Sequence, residues 1–216
     1  LQIFIIYSSL TFVFFILLNF SGVRLFNSFN LTMSLISGGG FLPSDSLKEI
    51  ISTNFQKIIL ILGFLISLLN FYFIFNLFNT NNLFKNHKED LYLLLIATLL
   101  MLLIYFYDLQ ILDVMINVLS SLANSGLTLV DQENNLSLYF LLICIIGGSL
   151  ISNSSGIKLT RFYILIKITT AEIIKLISPN SVINKTIFGS ESKITDENIK
   201  ISFLIFISFF LSLFIL

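Results

Sequence analysis

Along this chain, long apolar runs alternate with short polar breaks. The runs fall at 3–20, 55–78, 91–107, 136–150 and 199–216. Crossing about 30 Å of hydrocarbon takes roughly 20 residues of helix, so runs of this size predict membrane-crossing helices. The segment between the first two runs is different. Positions 24–36 predict a short helix with Leu25, Phe26, Phe29, Met33 and Ile36 on its apolar face. At about 20 Å it is too short to span. It leads into Ser37, Gly38, Gly39, Gly40 and Phe41, and Pro43 follows. A helix that enters a membrane and stops at a glycine turn is a re-entrant loop. Irregular backbone at that depth is tolerated only where protein or a water-filled cavity surrounds it.

The same design returns 86 residues later: Leu25 matches Ile111, Phe26 Leu112, Phe29 Met115, Ser34 Ser120, Gly40 Gly126 and Asp45 Asp131. The second short helix, 109–122, leads into Ala123, Asn124, Ser125, Gly126 and Leu127. The expected internal repeat is helix, short pore helix, turn, helix, an arrangement common in transport proteins. It divides the chain into a pore repeat (1–78), a cytoplasmic loop (79–90), a second pore repeat whose last helix is interrupted (91–177), a cytoplasmic linker (178–197) and the first helix of a further repeat (198–216). Neither end reads as a natural terminus, so the chain is expected to be the middle of a longer protein.

Composition agrees with the hydropathy. The 216 residues are 56% hydrophobic and only 11% charged, with a mean hydropathy of +0.97, which excludes an ordinary soluble domain. Twelve basic residues balance twelve acidic ones, which argues against a nucleic-acid partner. Nine of the basic residues lie away from the two turns: Lys85, Lys88, Lys158, Arg161, Lys167, Lys175, Lys185, Lys193 and Lys200. That side is expected to be cytoplasmic. The turns then face outward, with Asp45 and Asp131 as an acidic mouth. The lone Cys144 excludes an intrachain disulfide and reads as a small apolar packing residue. The single His87 reads as a surface residue of a charged loop. No phosphate-binding loop, paired catalytic carboxylates or serine triad is present, so no enzyme and no cofactor is expected.

The turns carry the chemistry. A cation crosses hydrocarbon only if something replaces its hydration shell, and backbone carbonyls do so in potassium-selective filters. The expected carbonyl donors are Ser37, Gly38, Gly39 and Gly40 in one turn and Ala123, Asn124, Ser125 and Gly126 in the other. The fold class expected is an all-α polytopic membrane protein of repeated helix–pore helix–filter turn–helix units, resembling potassium channels. A polar break also interrupts the last helix of the second repeat. It comprises Gly147, Gly148, Ser149, Leu150, Ile151, Ser152, Asn153, Ser154, Ser155 and Gly156, and Lys158 and Arg161 begin the resumed helix. Such a break is either a gate loop lining the conduction path or a kink whose polar residues bond their own backbone.

Residues 147–161, GGSLISNSSGIKLTR, resemble the GG-x-x-GST-x-GGIK-x-x-R signature of Trk/Ktr potassium-uptake subunits. The turn at 37–41 is similar to that family's second filter, and 123–127 to its third. The resemblance implies four such repeats in the whole chain, filter glycines at Gly40 and Gly126, a gating loop at 147–156, and potassium as the transported ion. It also implies a homodimer in the cytoplasmic (inner) membrane, multi-pass and surrounded by lipid, on a cytoplasmic ring of nucleotide-binding regulatory subunits. The signature's GST-x-GG reads Ile151-Ser152-Asn153-Ser154-Ser155-Gly156 here, with Ile151 and Ser155 in place of glycines; the other departures are Leu127 in place of an aromatic and Asn124-Ser125 where threonines are usual. A non-conducting or sodium-permeable subunit of the same architecture is the alternative.

Overall fold

Polar groups in lipid must be satisfied within the chain, and the protein answers with helices. The computed structural model describes residues 2–76, 87–105, 110–129, 134–179, 186–188 and 193–215. Its helices are α1 (Gln2–Phe20), α2 (Leu25–Ser37), α3 (Leu47–Ile50), α4 (Asn54–Leu68), α5 (Phe71–Asn76), α6 (Lys88–Tyr105), α7 (Ile111–Leu122), α8 (Asn134–Ile146), α9 (Leu159–Ile177) and α10 (Asp196–Ile215). Among the described residues there is no strand, only an isolated bridge between Thr186 and Lys193.

The two short helices, α2 and α7, form the centre. Helix α2 packs against α1 and α4, and α7 against α4, α6 and α8. Leu31 and Leu35 of α2, Leu60 and Phe64 of α4, and Ile116 and Leu119 of α7 are wholly buried along these seams. Two buried hydroxyls of the short helices bond within their own helix. Thr32 Oγ1 donates to Ser28 O (2.6 Å) and Ser121 Oγ to Asn117 O (2.7 Å), the back-bonding that lets hydroxyls sit inside a helix bundle.

The outer helices turn apolar side chains outward. Phe20 is 87% exposed, Leu176 84% and Phe214 86%. Stretches 3–20 of α1 and 196–215 of α10 are long and apolar enough to cross a membrane. An apolar exterior over a partly polar interior is the reverse of a water-soluble bundle, and the chain is a membrane protein.

One apolar run is not one helix. The stretch 55–78 breaks after Leu68. Helix α4 starts from a capping box of Thr53 and Gln56 and ends where two amides leave the helical pattern. The Asn70 N–H donates to Asp90 Oδ1 (2.9 Å) and the Phe71 N–H to Ile151 O (3.1 Å). The Asn70 side chain then caps α5 by accepting from the Tyr72 N–H (2.9 Å). In repeat register Asn70 matches Gly156, so both repeats interrupt their outer helix at the same place. His87 also corrects its reading as a solvated loop residue. Its side chain is 9% exposed, with Nδ1 3.4 Å from Asp90 Oδ2 and Nε2 3.0 Å from Asn76 Nδ2.

Candidate functional site

The two turns have one backbone design. Helix α2 ends at Gly38 (φ 68°), and the matching residue after α7 is Asn124 (φ 56°). Two residues on, Gly40 (φ 69°) and Gly126 (φ 68°) match again. The hydrogen bonds repeat in register. Gly39 N–H donates to Ser34 O (2.9 Å) and Ser125 N–H to Ser120 O (3.0 Å). These six-to-one bonds belong to the Schellman helix ending, which needs a left-handed residue just past the helix. Glycine supplies it in the first turn, and in the second Asn, the non-glycine type that best tolerates that conformation.

The turns lie side by side. A Cβ at Gly38 would sit 3.3 Å from Ala123 O, and one at Gly40 would fall on Ser125 O. Gly40 is therefore required twice, by its positive φ and by the neighbouring backbone. Polar groups behind the turns fix them. Ser120 Oγ and Ser125 Oγ are 2.9 Å apart, and Asn117 Oδ1 accepts from the Leu129 N–H (3.2 Å). The C-terminal ends of α2 and α7, carrying about half a negative elementary charge each, abut the turns. Asp45 is exposed on the chain that leaves the first turn; its counterpart Asp131 lies outside the described residues.

The polar break between α8 and α9 packs against this pair of turns. Asn153 Nδ2 donates to Ile36 O at the end of α2 (2.7 Å). Asn124 Nδ2 reaches Cys144 O near the end of α8 (2.9 Å). Within the break, Gly148 N–H donates to Ser154 Oγ (2.9 Å) and Ser152 Oγ to Ser149 O (2.7 Å). The loop is then tied to the break in the first repeat: Ser149 N–H donates to Leu68 O (3.1 Å). A Cβ at Gly148 would come within 2.8 Å of that same Leu68 O, so glycine is needed for the approach. Leu150 N–H donates to Glu89 Oε1 (2.9 Å). Lys158 sits at the N-cap of α9 with φ 76°, its ammonium turned into the loop. Arg161 follows one turn later, half-buried.

The structure thus gathers Ser37 to Gly40, Ala123 to Gly126, the break and Lys158 into one cluster. Sequence reasoning missed Asn70, Glu89 and Asp90, which anchor the loop. Their only signals were an Asn inside an apolar run and two acidic residues at a helix start.

No protein-family model matches the chain. A solved structure similar to it is that of the potassium transporter TrkH from Vibrio parahaemolyticus, with a TM-score of 0.78 and 20% identity over 95% of this chain and 47% of that one. The chain has the TrkH fold. An uncharacterized cation transporter of Methanocaldococcus jannaschii is 28% identical over 172 residues, which cover 78% of this chain and 36% of that protein. The chain therefore spans about half the length of TrkH and just over a third of the archaeal relative. Both proteins are described as transporters.

Proposed function

We propose that this chain is part of a cation-conducting pore that carries potassium across the cytoplasmic membrane as a multi-pass subunit. The observation that carries the reading is the pair of turns, with left-handed residues at 38 and 40 and again at 124 and 126, set against each other at the ends of two short helices. Backbone carbonyls held in this way can replace a cation's hydration shell, and the helix ends add favourable potential. Support also comes from the TrkH fold and from an archaeal relative described as a cation transporter. The break at 147–156 acts in this reading as the gate, since it lies against the turns through Asn153. Asp45 and Asp131 concentrate cations at the outer mouth. The resemblance to Trk/Ktr subunits extends the proposal to a homodimer on a cytoplasmic nucleotide-binding ring.

The test is rescue of a potassium-uptake-deficient strain by the full-length protein. Growth at low potassium with the unaltered protein, lost with Gly126→Val at equal membrane abundance, is the expected result. Rescue by Gly126→Val would remove the turns from the conduction path.

A further inference from the structure

The loop at 147–156 encloses a charge from the residue that starts the next helix. Lys158 Nζ donates to Ser152 O (3.1 Å), to Ser152 Oγ (3.1 Å), to Ser154 Oγ (3.3 Å) and to Ser154 O. Four oxygens from two residues surround one ammonium. The hydroxyls are set to accept. Ser152 Oγ gives its proton to Ser149 O, which leaves Ser154 Oγ as the donor to Ser152 Oγ across 2.8 Å. Ser154 Oγ also accepts from the Gly148 N–H. Both hydroxyls therefore turn lone pairs toward Nζ. An ammonium has three protons for these four acceptors, whereas a spherical cation meets all four without a directional preference.

The backbone supplies a second, independent sign. Lys158 has φ 76° and ψ 136°, a region costly for any residue with a Cβ. A lysine kept there is held by its surroundings. The field around it is divided. Glu89 attracts the ammonium, while Arg161 and the positive end of α9 repel it.

We infer that Lys158 is a tethered cation: its ammonium occupies, in the closed gate, a four-oxygen site on Ser152 and Ser154 that takes a monovalent cation when the lysine withdraws. The inference rests on the pore reading for its consequence, that loop closure and cation occupancy at this site exclude each other. The site itself stands on the loop's geometry alone.

The experiment uses full-length protein carrying Lys158→Met, with Lys158→Gly as a second variant that also relieves the positive φ. Purified in detergent, each is heated in potassium chloride and in N-methylglucamine chloride at equal ionic strength. Potassium should stabilise the variants more than the unaltered protein, because the vacated oxygens gain a ligand. Reconstituted in vesicles, the variants should pass rubidium about tenfold or more faster than the unaltered protein without its regulator, the scale of losing a charge-assisted hydrogen-bond set. Equal potassium stabilisation in folded variants and unaltered protein would overturn the site. Extra stabilisation with unchanged flux would keep the site and overturn its coupling to the gate. Absence of flux from every form, with the extra stabilisation present, would count against the pore reading and leave the site standing.

Discussion

Gly40 and Gly126 occupy matching places with the same φ, but they are not equivalent. A Cβ at Gly126 meets nothing within 4 Å, whereas one at Gly40 falls on the Ser125 carbonyl. Alanine at 126 should cost only the left-handed penalty, about 1–2 kcal/mol. The same substitution at 40 adds a clash with backbone that cannot move aside. Thermal unfolding in detergent should therefore place Gly126→Ala a few degrees below the unaltered protein and Gly40→Ala well below it. Equal losses would mean that the turns are not packed against each other. A sequence repeat shows the two glycines as a pair, and only the contact between turns separates them. Asn124 is a related case. Its place in the repeat matches Gly38, but the register gives no backbone angle, and its left-handed conformation emerges only with the helix ending it completes.

Between elements, the seam of α4 and α7 joins the two repeats. At one end of it Lys57 Nζ lies 2.6 Å from Asp113 Oδ1, with both side chains about one-seventh exposed, at 13% and 14%. Removing either partner leaves the other charged and poorly hydrated. Lys57→Met and Asp113→Asn should each destabilise by about 1–3 kcal/mol, and the double variant by less than their sum. Additive losses would mean that the pair is not formed. The loop's anchors can be tested by amide exchange. Leu150 N–H rests on Glu89 Oε1, so Glu89→Ala should speed exchange at Leu150 while leaving α4 protected. Unchanged exchange at Leu150 would remove Glu89 as an anchor. Hydropathy made the short helices, their turns and the polar break legible, because each is a local change in pattern. It hid the break at Leu69–Asn70, because the forces that end α4 there come from Asp90, 20 residues on, and Ile151, 80 residues on. His87 leaves solvent for a similar reason, since Phe73 and Asn76, earlier in the chain, close on its ring. A charge cluster next to an apolar run looks solvated until the chain folds back over it.

For the whole molecule, the distribution of Lys and Arg sets an orientation. In a variant with Cys144→Ser, a single cysteine at position 45 should label from outside intact cells, and one at 175, near the end of α9 with its side chain partly exposed, should not. Labelling at 175 with protection at 45 would invert the protein in the membrane. Two matching turns, a loop laid against both, and an apolar exterior are the features on which the proposed cation path rests. The most direct test is tracer rubidium uptake into potassium-loaded vesicles containing the full-length protein, with sodium as competitor. The account predicts saturable uptake that external potassium suppresses more strongly than sodium does, and that Gly126→Val abolishes in folded protein. Uptake no greater than in protein-free vesicles, or equal uptake by Gly126→Val, would contradict it.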